Sequence, residues 1–280
     1  MNQIGFMQGR LSPLVRGRIQ AFPWDDWRDE FATAASAHFG AMEWTLDDER
    51  LHENPLLTVA GRADIRQLAQ RDHVHVGSLT ADFWMQAPFY KAEGPERIRR
   101  LADFRLVVDA CADVGIRWIV CPLVDNGRLE NEAQRLDLTR ELASLLPFLG
   151  ERNVGVAFES DFPPAQLRNL MTELPSAHFG VNYDSGNSAS LGYDPAEEFA
   201  AYGERIVNVH VKDRIRGGTT VPLGKGATNF AEVFRGLAQI GYHGSLILQT
   251  ARAADGDHLG ALERYRERVQ LWLAEASRES

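Results

Sequence analysis

Short apolar runs alternate with longer amphipathic ones from one end of this chain to the other. Period-two or continuous apolar character predicts strands over 4–8, 42–44, 74–79, 118–121, 154–158, 179–183, 205–211 and 246–248. Between them, apolar residues at helical spacing predict helices. Over 24–39, Trp27, Phe31, Ala34 and Ala35 share a face, and over 131–149 the stripe is Leu138, Leu142, Leu145 and Leu146. Further helices are predicted over 57–70, 96–114, 164–174, 229–240 and 258–274, with one more opening at Asp194 and Pro195. Gly40, Gly115 and Gly241 stand where three of these helices should stop. No Pro/Ser-rich linker or block of like charge interrupts the series, so residues 1–280 read as one domain. Eight strand–helix units in that length predict a single (β/α)8 TIM barrel, with its chemistry at the C-terminal ends of the strands. An open doubly wound sheet is the competing arrangement. It is disfavoured because the first strand–helix turn has no G-x-G-x-x-G and no Walker motif occurs; Gly224–Lys225–Gly226 is only a glycine pair around a lysine.

Composition narrows the partners. At 44% hydrophobic residues the chain can bury a large core, and a net charge of −9 disfavours general attraction to nucleic acid or an anionic membrane surface. The two cysteines, Cys111 and Cys121, form no C-x-x-C pair, which fits a reducing compartment. The first residues lack a basic segment followed by an apolar core, and a cytoplasmic location is expected.

Candidate chemistry gathers at strand ends. The stretch I-V-N-V-H-V-K-D-R-I-R carries His210 to the end of a buried run, and taken alone that imidazole could be satisfied by a neighbouring backbone group. Other strands end in the same way, at Glu159, Asp184 and Gln249. Two carboxylates, an imidazole and an amide oxygen on four neighbouring strands suit one hard divalent ion, Mn²⁺ or Mg²⁺, with Co²⁺, Fe²⁺ or Zn²⁺ also compatible. Arg10, Lys212, Arg214, Arg216 and Arg252 follow strand ends, so an anionic substrate bearing a phosphate or carboxylate is expected; surface solubility is the competing explanation. Asp213 is expected to orient His210, to pair with an arginine or to contact substrate. Glu43 is a candidate second acid/base or a hydrogen-bonding scaffold. Trp84, with Phe83, Phe89 and Tyr90, is expected to wall a substrate pocket from water or to form a subunit contact in a homodimer or homotetramer, as against packing beneath the loop. His73 and His75 sit at the opening end of a strand and are expected to be structural.

The runs I-G-F-M-Q-G-R-L-S-P, E-S at Glu159, N-Y-D-S-G-N at Asp184, H-V-K-D-R at His210 and L-Q-T-A-R at Gln249 resemble the sugar phosphate isomerase/epimerase family of xylose isomerase-like TIM barrels. The resemblance runs in order along nearly the whole chain. It implies that strands five to eight supply Glu, Asp, His and a second Glu to one divalent metal, and that family epimerases use the two glutamates on opposite faces of the substrate. Glu159, Asp184 and His210 match; Gln249 departs. An amide can ligate through oxygen but cannot act as a base near neutral pH. The expectation is therefore one-base aldose–ketose isomerisation with Glu159 moving the proton, the alternative being a keto-sugar or keto-inositol dehydratase or lyase on the same site. A multi-zinc endonuclease of this superfamily would need more well-placed histidines, and a non-enzymatic sugar-binding barrel would keep the aromatics and arginines without metal.

Overall fold

Eight parallel strands pair with their neighbours in chain order, and the last pairs with the first. The computed structural model describes residues 2–175 and 177–279. In chain order the elements are β1 (Ile4–Met7), α1 (Asp29–Ser36), β2 (Ala41–Thr45), α2 (Val59–Asp72), β3 (His75–Thr80), α3 (Asp82–Gln86), α4 (Gly94–Val114), β4 (Trp118–Leu123), α5 (Glu132–Arg152) and β5 (Gly155–Ser160). They continue with α6 (Pro164–Thr172), β6 (Phe179–Asp184), α7 (Ser185–Leu191), α8 (Pro195–Tyr202), β7 (Ile206–Val211), α9 (Phe230–Gln239), β8 (Leu246–Leu248) and α10 (His258–Glu279). This is the (β/α)8 barrel that the alternation predicts. Among the described residues no helix is long and apolar enough to cross a membrane.

Departures from the expected boundaries have local causes. β4 runs through Pro122, where a stop was expected, because β3 leaves the ladder at the pair Thr80↔Val120 while β5 pairs on to Leu123↔Ser160; no ladder N–H is required of residue 122 on the β3 side. Helix α7 is absent from the sequence expectation. It exists because Asp184 accepts hydrogen bonds from the backbone N–H groups of Gly186 and Asn187 and caps a turn with little apolar periodicity of its own.

The loop after β3 corrects a second expectation. Phe83, Trp84, Phe89 and Tyr90 are all buried, and Trp84 meets Phe89 and Phe104 edge-on at centroid distances of 5.1 and 4.9 Å. Such packing against α4 stabilises the loop by burial and ring geometry. Trp84 is therefore core rather than pocket wall, and the exposed aromatics that would have argued for a dimer or tetramer are not exposed. Two strand pairs shift register, β2–β3 at Met42/Glu43 and β6–β7 at Val181/Asn182. Each irregularity lies just before polar residues that enter the barrel interior, as bulges near active sites often do.

Candidate metal centre and substrate cavity

Period two places Asn182 with Asp184 on one face of β6, and Asn208 with His210 on one face of β7. Strand register then sets Asn182 beside Asn208 and Asp184 beside His210. On β2 and β3, Glu43 stands beside Ser78. These residues fill the upper barrel with a polar layer in which every partner can be named.

Glu43 is fully buried and accepts from Ser78 Oγ (2.6 Å), Asn208 Nδ2 (2.8 Å) and the Thr80 hydroxyl. Its Oε1 also lies 2.7 Å from His210 Nε2. Burial acts to raise the Glu43 carboxyl, but the facing His210 and the hydroxyl donors outweigh it and hold the pKa below the usual value. Burial likewise acts to lower His210; the charges of Glu43 and Glu159 outweigh it and push the imidazole up to about 10. With Nε2 committed to Glu43, Nδ1 is the nitrogen that faces the other strand ends: 3.1 Å from Glu159 Oε2 and 3.9 Å from Asp184 Oδ2.

One donor atom from each of Glu159, Asp184 and His210 lies within 4.8 Å of the others. Glu159 is held by the side-chain amides of Asn182 (2.8 Å) and Asn187 (2.6 Å). Asp184 spends Oδ1 on the cap of α7 and keeps Oδ2 on the site side. Two carboxylates and an imidazole nitrogen, whose tautomer is fixed by a buried carboxylate, form a donor set that fits a divalent cation. The fourth expected corner differs. Gln249 Oε1 accepts from Lys212 Nζ at 3.0 Å, the same ammonium donates to Asp184 Oδ2 at 3.1 Å, and Gln249 Nε2 donates to Gln20 Oε1 at 2.9 Å.

Above this cluster opens a cavity of about 350 Å³, lined by Glu159, Lys212 and Gln249, and on its walls by Gln20, Asp82, Met85, Arg128, Asn187 and Arg214. Of the five expected rim cations, Lys212 and Arg214 line it. Arg214 is braced by Asn187 Oδ1 and the Gly218 carbonyl. Arg10 is 4% exposed and donates to the carbonyls of Thr250 and Ile19; Arg252 donates to the carbonyls of Gly9 and Ser12. Both tie the β1 and β8 loops together, and neither lines the cavity. Arg216 is exposed beside Gly192. Asp213 is fully buried and turned away: it accepts from the backbone N–H groups of Gly224, Lys225, Gly226 and Thr228. The glycine pair thus has a use, since a Cβ at Gly226 would lie 2.2 Å from Asp213 Oδ1. None of Arg10, Arg252, Arg216 and Asp213 lines this cavity; burial of Arg10 and Asp213 on backbone partners argues against the substrate contact expected of them, and Glu43 is fully buried and outside the cavity lining.

Several residues escaped the sequence reading. Asn182 and Asn208 carried a signal, N-x-D and N-x-H at period two before a strand end. Arg128 and Asp161, paired with each other on the cavity wall, and Gln20 carried none. Asp82, 8% exposed, accepts from Gln20 Nε2 at 2.8 Å, and burial, reinforced by the charges of Asp47 and Glu159, pushes its carboxyl up to about 7.

Comparison with known proteins agrees with the fold. The chain is 26% identical over 261 residues to the L-ribulose-5-phosphate 3-epimerases UlaE of Escherichia coli O157:H7 and Shigella boydii serotype 18, covering 89% of this chain and 91% of each relative. Among solved structures, the xylose isomerase domain protein of Planctomyces limnophilus superposes with a TM-score of 0.77 at 14% identity, covering 99% of both chains. An L-ribulose 3-epimerase gives 0.74 at 16%, over 100% of this chain and 97% of the other, and the IOLI protein with a bound zinc atom gives 0.75 at 15%, over 98% and 99%. At such identities these structures speak for the fold. Residues 31–276 match the sequence profile described as xylose isomerase-like TIM barrel, and the chain belongs to that family.

Proposed function

We propose that this protein is a divalent-metal-dependent sugar or sugar-phosphate isomerase/epimerase in which Glu159 moves a proton at a carbon beside a carbonyl. The observation that carries the reading is the convergence of Glu159, Asp184 and His210 beneath a cavity whose walls hold Lys212, Arg214 and Arg128. Glu159, Asp184 and His210 would hold the metal, with the oxygen of Gln249 beside them. A divalent ion there, Mn²⁺ or Mg²⁺ by donor type, supplies Lewis-acid polarisation of a carbonyl and its neighbouring hydroxyl.

The remaining work falls to the chain. Glu159 lines the cavity and is aimed by two asparagine amides, so its carboxylate is oriented toward a bound carbon acid rather than free to rotate. Glu43 serves as a positioning residue that fixes the His210 tautomer. Lys212 and Arg214 favour an anionic group on the substrate, consistent with the sugar phosphate in the names of the UlaE relatives. Gln249 cannot take or return a proton, which favours one-face transfer and hence aldose–ketose isomerisation. Asp82 supports a second reading: a carboxyl on the cavity wall with its pKa near 7 is a candidate acid for the opposite face, which would restore epimerisation.

L-ribulose 5-phosphate and unphosphorylated L-ribulose, incubated with protein and Mn²⁺ in deuterated water and followed by NMR, test these readings. Label with inversion at C3 marks an epimerase, label with aldose formation marks an isomerase, and elimination products mark the lyase alternative. Glu159→Gln should retain metal and lose turnover by about 10³-fold. Turnover like that of wild type would remove Glu159 from the role of base.

A further inference from the structure

Among the described residues Lys212 is the one lysine that lines the cavity, and it is a built position rather than a loose rim charge. Its backbone N–H donates to Ser185 Oγ at 3.0 Å, and its carbonyl accepts from the same hydroxyl at 2.8 Å. Its stem lies against Gly186, where an added Cβ would meet Lys212 Cγ at 2.7 Å. The side chain is 15% exposed, and its Nζ bridges Asp184 Oδ2 and Gln249 Oε1 at 3.1 and 3.0 Å. The amide is not free to turn over: Gln249 Nε2 is engaged by Gln20 Oε1, whose own Nε2 is engaged by Asp82, so the Gln249 oxygen is left facing the ammonium.

We propose that the Lys212 ammonium, seated between Asp184 and Gln249, is a resident cation at the fourth corner of the metal centre, which weakens divalent-ion binding and makes that corner attractive to a negatively charged substrate oxygen. The inference rests on the metal-site reading above and deepens it. A divalent ion held by Glu159, Asp184 and His210 must share Asp184 Oδ2 with a second positive charge in a site mostly withdrawn from water, where like charges repel strongly. Gln249 offers the ion an oxygen dipole but no compensating charge. A glutamate in its place would form an ion pair with Lys212. The neutral amide instead anchors the ammonium without adding a second carboxylate to the one that Asp184 supplies. The two residues therefore act as a pair, and changing either alone should show it.

Titration calorimetry with Mn²⁺ on metal-stripped protein tests this without any substrate. Lys212→Met keeps the stem on Gly186 and removes the charge; Lys212→Gln is the polar counterpart should the methionine variant fold poorly. Either should bind Mn²⁺ at least tenfold more tightly than wild type, about 1.4 kcal/mol. Gln249→Glu alone should gain less than the double variant Lys212→Met/Gln249→Glu, because the new carboxylate is engaged by the lysine, and the double variant should bind most tightly of all. Equal or weaker binding by both Lys212 variants, with wild type binding Mn²⁺, overturns the inference and leaves the metal-site reading intact. Absence of Mn²⁺ binding in wild type and in the double variant alike overturns both.

Discussion

Replacing Glu43 with glutamine keeps shape and removes charge at a site where the geometry permits no comfortable substitute. Glu43 Oε2 faces two donors, Ser78 Oγ and Asn208 Nδ2, and Oε1 faces the Thr80 hydroxyl and His210 Nε2. A glutamine has one acceptor oxygen. If its oxygen takes the Oε1 position, its NH₂ confronts the amide of Asn208. If its NH₂ takes that position, it donates to Nε2 and forces the imidazole proton onto Nδ1, the nitrogen facing Glu159 and Asp184. The rise of His210 from 6.5 to about 10 is worth about 5 kcal/mol of interaction at 1.36 kcal/mol per tenfold, an upper bound shared between Glu43 and Glu159. Loss of the Glu43 share, with the amide partly satisfying the hydroxyls, should cost the metal-free protein about 2–4 kcal/mol near pH 6. The pH dependence follows from the signs. His210 is raised, so its contribution is full below about 6.5 and is lost as pH rises toward about 10. Glu43 is lowered, so its contribution is present above about 4.5 and is lost in acid. The gap between wild type and Glu43→Gln should thus be widest between about pH 4.5 and 6.5 and should narrow as pH rises toward 10. Urea denaturation across pH measures the gap, and calorimetry should show Mn²⁺ affinity reduced by about 10–100-fold, as expected when the partner that orients a metal-binding histidine is lost. Wild-type affinity together with a pH-independent gap would refute Glu43 as the group that orients His210.

Other outcomes follow from residues outside the metal cluster. Asp213→Ala strips four backbone N–H groups of their acceptor and should lower urea-measured stability by about 3 kcal/mol while leaving Mn²⁺ stoichiometry unchanged; a cost below about 0.5 kcal/mol would show that the 224–228 loop does not depend on it. Asp82 is raised from 3.8 to about 7, so the folded protein holds that proton more tightly than the unfolded chain, and wild type loses stability as pH rises from about 4 to about 7. Asp82→Asn lacks this term and should gain on wild type between pH 5 and pH 8, by at most ~3 kcal/mol; parallel profiles in urea melts at the two pH values would contradict a buried, raised carboxyl.

Local sequence determined a great deal of this molecule. Periods of two and 3.6 residues placed all eight strands, and strand ends five to seven delivered Glu159, Asp184 and His210, because a barrel converts similar positions on successive strands into neighbours in space. The same periodicity carried Asn182 and Asn208, two residues before two of those ends. What it could not carry was the direction of polar side chains beyond the strands. Arg10 and Lys212 both follow strand ends in basic, apparently equivalent settings. Yet Arg10 reaches the carbonyl of Thr250, 240 residues away, while Lys212 turns inward onto Asp184 and Gln249. Asp213 beside it turns to a loop that begins eleven residues later. Charged side chains go where buried backbone donors and acceptors remain unpaired, and that inventory exists only once the barrel has closed. Gln249 could be seen from the sequence as a missing carboxylate; only the closed barrel shows an ammonium beside it.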